Sequence, residues 1–241
     1  MFNHEFFDRM AYNFTRGRLA TGEAYFNEVW RILSEGTTNT IYMVFFSTLF
    51  AIIIGLVIGV LLNITGPNGI CRANILNKIL GFIVNTGRSI PFVIVIIAVF
   101  PLSRHIVGTS IGPTAAIVPL TIAAIPFVAR VVEAALAELG SGIVEAAVST
   151  GASPLQIIFR VLLPESAPGL ILGFTLTMIN LLSFSAMAGL IGGGGLGHVA
   201  HRWGLQEFRT DILLYTIVIL VILVQIIQIA GQTIARKLDK R

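Results

Sequence analysis

Long apolar runs separated by short polar stretches dominate the pattern along this chain. A helix needs about 20 apolar residues to cross the hydrocarbon core of a bilayer. The runs are continuous and do not alternate between apolar and polar positions, which favours helices over membrane strands. We predict an all-α, polytopic membrane protein with five transmembrane helices, near residues 39–63, 79–103, 114–137, 168–190 and 212–235.

The composition agrees with a membrane protein. Of the 241 residues, 55% are hydrophobic and 12% are charged, whereas a soluble domain carries about 25% charged residues. The chain therefore lacks the polar side chains to cover a water-facing surface of its size, which excludes soluble enzymes, disordered proteins and coiled coils. The net charge of +4 suggests contact with lipid headgroups rather than with nucleic acid, because the basic residues flank apolar runs. The single cysteine, Cys71, excludes an intrachain disulfide.

Five spans place the two termini on opposite sides of the bilayer, and the basic residues then divide between the sides. The side of the C-terminus receives Arg72, Lys78, Arg130, Arg160, Arg236, Lys237, Lys240 and Arg241, and the other side receives Arg9, Arg16, Arg18, Arg31, Arg104, Arg202 and Arg209. Only basic residues near the membrane orient a helix strongly. Without the distant Arg9 and Arg16 the count favours a cytoplasmic C-terminus and an external N-terminus.

We interpret residues 1–37 as an N-terminal tail that precedes a permease-like membrane domain at 38–241. Apolar residues recur at helical spacing in two places of this tail, at Phe7, Met10, Ala11 and Phe14 and again at Phe26, Val29, Trp30 and Leu33. Two short amphipathic helices lying on the membrane surface fit this spacing. A partly ordered tail fits it equally well.

The segment at 138–166 is long for a connection between neighbouring helices. Residues 142–150 predict a short helix, and Gly151 allows the chain to turn with a positive φ. A second helix is predicted from an N-cap serine, a proline at the first helical position, a glutamine that reaches back and a Leu-Pro pair that ends it, namely Ser153, Pro154, Gln156 and Leu163-Pro164. Such a pair can lie in a groove of a partner protein or pack against its own bundle.

The same segment carries a motif. Glu145-Ala146-Ala147 is followed after three residues by Gly151, and after nine more by Val161-Leu162-Leu163-Pro164. This spacing resembles the EAA loop of ATP-binding-cassette importer permeases, with Val161 in place of the usual Ile. The resemblance implies a type I importer permease fold. It also implies a coupling role toward an ATPase for Glu145, Ala146, Ala147, Gly151, Leu163 and Pro164.

Residues 36–43 resemble the start of the first span in that family, and residues 88–91 resemble the second-span signature of its amino-acid permeases. Three further stretches are similar to methionine-importer permeases, namely residues 107–112, 115–121 and 185–197. The resemblance implies a permease subunit in the bacterial inner membrane that forms the path for methionine, D-methionine or a related amino acid. It further implies a homodimer, two cytoplasmic ATP-binding ATPase subunits and an extracytoplasmic solute-binding lipoprotein, with no cofactor and no metal. The permease itself is then not an enzyme.

The residues themselves also indicate that this chain does not bind ATP. The stretch at 192–199 reads G-x-x-x-x-G-H-V, and it lacks the lysine and the hydroxyl that follow the last glycine of a phosphate-binding loop. Its glycines are predicted to let the backbone turn sharply instead.

Small polar groups and a thioether stand at the end of the fourth span, at Ser183, Phe184, Ser185 and Met187. They fit a path for a methionine-like solute as well as they fit interhelical packing by small residues. Gly55 and Gly59 in the first span predict close packing of two helices. Arg88 lies inside the second span, where a charge is either functional or extends towards the membrane surface.

Two rival functions belong to other classes. An ion-coupled secondary amino-acid transporter usually carries an intramembrane carboxylate, and no Asp or Glu lies in the central portion of any predicted span. A membrane-embedded metalloenzyme would need His198 and His201 as metal ligands, together with a further ligand such as Glu207 or Asp211. Two loop histidines at headgroup level are the simpler interpretation.

Overall fold

The structure is a computed structural model that describes residues 22–239, so the predicted amphipathic segment at 7–14 lies outside the described residues. Every regular element within 22–239 is helical, which confirms the predicted all-α class. The helices are α1 (Gly22–Thr65), α2 (Asn74–Ser89), α3 (Phe92–Val107), α4 (Pro113–Ala137), α5 (Ser141–Ser149), α6 (154–165), α7 (Ala167–Ala188), α8 (Gly195–Val199) and α9 (Thr210–Leu238).

Two of the connections contain π-helical turns, and a third is kinked. Helix α6 is composed of an α-turn at Pro154–Ile157, a π-turn at Ile158–Leu162 and a last turn at Leu163–Glu165. A further π-turn follows α8 at Ala200–Gln206, and the segment Gly189–Gly193 after α7 is kinked, with non-helical dihedrals at Ile191 and Gly192. The chain between α7 and α9 is thus largely helical and is not an extended loop.

Four of the described helices, α1, α4, α7 and α9, are long and apolar enough to cross a membrane, and the bent pair α2–α3 makes a fifth crossing if it is one span. The two helices of this pair meet at 103°. The predicted span at 79–103 is therefore not one straight helix. Pro91 lacks a backbone N–H and disfavours a helical conformation in the residue before it, and Ile90 is extended at φ −81° and ψ 125°.

Helix α1 is longer than the predicted first span and runs from Gly22 to Thr65 without a break. The predicted boundary at residue 37 thus falls inside a helix, and a short surface helix around Phe26 and Trp30 is not what the structure shows. Val29, Ile32 and Leu33 on this first part are buried against Val199 and Ile212. The apolar spacing that suggested contact with a membrane surface packs instead against the protein's own bundle.

Two glycines bring α1 and α4 into close contact. A Cβ added at Gly55 would lie 2.6 Å from Cβ of Val128, and one added at Gly59 would lie 2.5 Å from the carbonyl oxygen of Ala129. Real Cβ atoms do not approach other atoms this closely, so only glycine fits at either position. The predicted role of this pair in helix packing is confirmed.

Long-range contacts define two ends of the bundle. At one end, Arg209 before α9 forms a salt bridge with Glu28 of α1, and the amide of Gly112 before α4 donates to the carbonyl of Gly192. At the other end, Leu238 at the end of α9 lies beside Glu138 and Glu165. The start of α1 and the end of α9 therefore lie at opposite ends, and the predicted EAA loop lies at the end where α9 finishes.

We expect Gly59→Ala to destabilise the protein, because its methyl group forces α1 away from the backbone of α4. Overpacking of this kind costs about 1–3 kcal/mol. Gly81→Ala is the matched control, since the nearest atom to a Cβ added there is 4.0 Å away. The measurement is the Tm of the purified protein in detergent. An unchanged Tm for Gly59→Ala would contradict the close contact.

Candidate functional site

The EAA loop begins with α5, and Gly151 ends that helix with a hydrogen-bonded cap. Gly151 has φ +77°, and its amide donates to the carbonyl of Val148 at 2.9 Å. The amide of Ala152 donates to the carbonyl of Ala147 at 3.2 Å. These two bonds form the Schellman motif, which requires a left-handed residue at the position of Gly151. A Cβ at Gly151 would meet no atom within 4 Å. The glycine is therefore needed for its backbone conformation and not for lack of space, as the sequence predicted.

The second helix of the loop starts as the sequence predicts. The side-chain oxygen of Gln156 accepts a hydrogen bond from the amide of Ser153 at 2.9 Å, and Pro154 occupies the first turn. The predicted end at Leu163-Pro164 is wrong, because helical turns continue through Glu165 to α7. A proline is tolerated in the first turn of a helix, and Pro164 takes that place in the segment Leu163–Glu165.

The loop is anchored on one side and exposed on the other. Ile157, Ile158 and Leu162 are buried in the main core, and Ala147 and Leu163 pack against it. Glu145, Ala146 and Pro164 are exposed. Large apolar side chains also face outward, and Leu155 and Phe159 are 67% and 66% exposed. A helical pair that presents apolar side chains outside the membrane-spanning helices is better suited to contact with a partner's groove than to exposure to water.

A shallow groove separates the two helices of the loop. It has a volume of about 500 Å³ and is lined by Ala146, Ala147, Gly151, Arg160 and four neighbouring residues. The small alanines of the motif keep this groove open, since any larger side chain at these positions would fill it. The EAA residues thus shape the surface between the two helices, while Leu163 helps to hold it on the bundle.

The four predicted path residues do not share one face of α7. Ser183 and Met187 line a cavity of about 800 Å³ between α7, the segment after it and α9. Phe184 stacks on Phe92 of α3 with ring centroids 4.4 Å apart. Ser185 is buried, and its hydroxyl donates to the carbonyl of Leu182 at 2.7 Å. Adjacent helix positions point in different directions, so only Ser183 and Met187 come together.

A second cavity lies at the bend between α2 and α3. It has a volume of about 260 Å³, and its lining includes Arg88, Asn180 and the rings of Phe92, Phe127 and Phe184. Sequence reasoning placed Arg88 inside a span but missed the bend, although Pro91 three residues later was the available signal. We call this space the Arg88 cavity.

The glycine-rich segment after α7 folds the chain back on itself. Gly192, Gly194 and Gly195 have φ of +94°, +77° and +74°. A Cβ at Gly197 would lie 2.2 Å from the carbonyl oxygen of Ala186 in α7. These glycines therefore turn the backbone and allow α8 to pack against α7, which confirms the predicted reason for their presence.

A cluster of polar side chains joins α1 to the start of α9, and sequence reasoning missed it. The hydroxyl of Tyr25 donates to the carboxylate of Asp211, and the guanidinium of Arg209 lies 2.9 Å from Glu28. The same guanidinium lies 5.6 Å from the ring centroids of Tyr25 and Trp203. The partners are separated by more than 180 residues, so no local pattern could have indicated them. Among residues 22–239, no group of three metal-ligating side chains comes together, at His198 and His201 or elsewhere.

A family model described as the inner membrane component of binding-protein-dependent transport systems matches residues 55–241. The chain belongs to this family. It is therefore a multi-pass inner membrane protein and a transport permease rather than an enzyme, and an ion-coupled secondary transporter is not supported.

Comparison with individual proteins identifies more specific relatives within this family. The probable D-methionine transport system permease protein MetI of Vibrio cholerae is 49% identical over 210 residues, which are 87% of this chain and 93% of that protein. The corresponding protein of Pasteurella multocida is 45% identical over 88% of this chain and 98% of its own length. A chain in a solved structure of inward-facing conformations of the MetNI methionine ABC transporter is 45% identical, with a TM-score of 0.85 over 87% of this chain and 97% of that one. This match confirms the predicted importer permease fold.

Proposed function

We propose that this permease forms the translocation path for methionine, D-methionine or a close relative in an ABC importer. The observation that carries the proposal is the 45–49% identity to permeases of methionine transport systems over nearly nine-tenths of the chain. The charge-free interior of α7 agrees, because a path for a neutral, moderately apolar solute needs weak contacts that release it. Two copies of the permease act together with two cytoplasmic ATP-binding ATPase subunits and an extracytoplasmic solute-binding lipoprotein.

The EAA loop is the proposed contact with each ATPase. Glu145 and Ala146 stand exposed on α5, Leu155 and Phe159 extend outward from α6, and buried residues fix the loop to the core. Because α6 passes into α7 with only Ser166 between them, a displacement of the loop is transmitted directly to a membrane-crossing helix. ATP-driven movement of the partner can thereby reach the path.

The path is proposed to run past Ser183 and Met187, which line the larger cavity. Met187 is 41% exposed there, and a thioether makes soft contacts that suit a methionine-like side chain. Phe184 and Ser185 support α7 without lining this cavity, since Phe184 stacks on Phe92 of α3 and Ser185 is buried. The exposed apolar faces of α7 and α9 are covered by lipid and by the second copy.

The orientation follows from the same proposal. The EAA loop must face the cytoplasmic ATPases, and α9 finishes at the same end of the bundle. The C-terminus is therefore cytoplasmic and the start of α1 external. The predicted domain division at residue 37 is kept only as a division of location, in which residues 22–36 of α1 extend beyond the membrane on the external side.

The function is tested by uptake of labelled L-methionine and D-methionine into proteoliposomes that hold the permease, its ATPase partners and the binding lipoprotein. We expect uptake that depends on ATP and on all three proteins. The permease purified alone should hydrolyse no ATP, because it has no phosphate-binding loop. Uptake of charged amino acids without methionine would reject the substrate, and hydrolysis by the lone permease would reject the division of labour.

Gly151→Val should abolish uptake while the permease still inserts and folds. A left-handed conformation costs a residue with a side chain roughly 1–2 kcal/mol, so the variant loses the turn that fixes α5 against α6. Gly142→Val is the matched control, since a Cβ there also meets no atom within 4 Å but the backbone is not left-handed. The measurements are methionine uptake and the amount of ATPase that copurifies. Normal uptake by Gly151→Val would refute the coupling role.

The orientation predicts which introduced cysteines react from outside the cell. In a Cys71→Ser background, Glu23→Cys should react with an impermeant thiol reagent added to intact spheroplasts, and Lys237→Cys should react only after permeabilisation. Both positions are exposed, so accessibility of the side chain does not decide the result. The opposite labelling pattern would overturn the orientation.

A further inference from the structure

We propose that the contact between Arg130 of α4 and Asn85 of α2 is a positioning contact that makes α2 follow the EAA loop during transport. The inference rests on the proposed function and adds a second connection between the loop and the proposed path. The connection described above runs from the end of the loop through Ser166 into α7. The second one starts at the other end of the loop, where α4 enters it.

Arg130 is a charged residue inside a membrane-crossing helix. It lies before Ala137, the last residue of α4, by about two turns, which is about 10 Å along the helix axis. An arginine at this depth is costly, and such residues generally have a function. Its side chain is 28% exposed, and its guanidinium forms a salt bridge with Glu133 one turn further along. The charge is therefore balanced within α4 itself.

The guanidinium also reaches a second helix. Its Nη2 donates to the side-chain oxygen of Asn85 in α2 at 2.7 Å. A further close contact between these helices is apolar, because a Cβ added at Gly87 would lie 2.7 Å from Cγ of Pro126. Apolar contacts allow two helices to slide past each other, whereas a hydrogen bond to a charged group has a defined length and direction. Arg130 and Asn85 therefore fix the position of α2 relative to the end of α4.

The end of α4 and the EAA loop pack as one unit. Val132 and Leu136 of α4 belong to the same buried core as Ile157 and Leu162 of the loop. The chain between α4 and α5 is only the short segment 138–140. A displacement of the loop by its ATPase partner therefore displaces this end of α4, and the guanidinium passes the displacement to α2.

Helix α2 carries the displacement to α7 by a second route. It ends at the bend before α3, and Phe92 at the start of α3 stacks on Phe184 of α7. Phe184 is next to Ser183, which lines the larger cavity. Movement of the loop thus reaches α7 both directly and through α2. The two routes act together only while the contact between α4 and α2 is intact.

The test compares two substitutions of similar size at Asn85. Asn85→Leu removes the oxygen that accepts from Arg130 and leaves the salt bridge with Glu133 in place, whereas Asn85→Asp keeps an acceptor. Methionine uptake and ATP hydrolysis are measured in the same proteoliposomes, which hold the permease, its ATPase partners and the binding lipoprotein. We expect Asn85→Leu to lower the ratio of methionine transported to ATP hydrolysed about tenfold or more, the scale of a hydrogen bond to a charged group.

Asn85→Asp should keep a ratio close to that of the wild type. Thr86→Val is the matched control, because it removes an exposed polar group at the neighbouring position of α2, and it should also keep the ratio. A contact that only stabilises the fold would lower uptake and hydrolysis together and leave their ratio unchanged. An unchanged ratio in Asn85→Leu therefore overturns the proposal, and so does an equal loss in Asn85→Leu and Asn85→Asp.

Arg130→Lys tests the same contact from the side of α4. Lysine keeps the charge that pairs with Glu133 but lacks the fixed fork of donors that a guanidinium has. We expect a reduced ratio of uptake to hydrolysis, with the amount of copurifying ATPase unchanged. A wild-type ratio in Arg130→Lys would count against a role for the directed hydrogen bond to Asn85.

A further measurement does not depend on the solute. In a Cys71→Ser background, spin labels attached after Ile79→Cys, an exposed position of α2, report the distance between the α2 helices of the two copies in the permease–ATPase complex. We expect this distance to change when the complex is trapped with ATP and vanadate, and the change to be lost in Asn85→Leu. No change in the wild type, or a change that survives Asn85→Leu, overturns the proposal. An intact change without methionine uptake rejects the proposed substrate alone.

Discussion

The fold depends on the close approach of α1 and α4. Helix α4 is the most buried of the membrane-crossing helices, and α1, α2, α3 and α7 pack against it, whereas α9 packs mainly against α7. In lipid, apolar side chains gain little from leaving one apolar environment for another, so contact area and close packing hold helices together. Gly55 and Gly59 allow α1 to lie directly on the backbone of α4. Gly173 of α7 is similarly crowded by Val131, and Gly87 of α2 by Pro126.

This packing explains why the functional parts of the molecule can be irregular. The core made by α1, α4 and α7 is rigid, so the bend at Pro91, the π-turns and the glycine-rich hairpin can be stable around it. The bend opens the Arg88 cavity, and the hairpin carries one wall of the larger cavity. The EAA loop likewise extends from α4 and α7 and is fixed to them by Ile157 and Leu162. The EAA loop and the two cavities are thus supported by helices that pack closely through glycine residues.

Local signals predicted local structure well. The positive φ of Gly151 and the bond between Gln156 and Ser153 depend on residues within one or two turns, and the sequence carries both signals. The bend at Pro91 was also marked locally, but the apolar run at 79–103 suggested a span and concealed the break. The extent of α1 and the contacts of Arg209 depend on residues that are distant in sequence. No periodicity within 22–37 could show that its apolar face meets Val199 and Ile212 instead of lipid.

The contacts at the start of α1 have a consequence for biosynthesis. Helix α1 is the first of the described helices to emerge from the ribosome, yet the residues that cover Val29 and Leu33 and the acid that binds Tyr25 belong to the segment at 199–212. Until that segment has been made, the contacts that the structure describes for Val29, Leu33 and Tyr25 cannot form. Contacts of such long sequence separation form late, so α9 must insert before this end of the bundle closes. Chains truncated before α9 are left with an exposed apolar stripe that quality-control proteases can recognise.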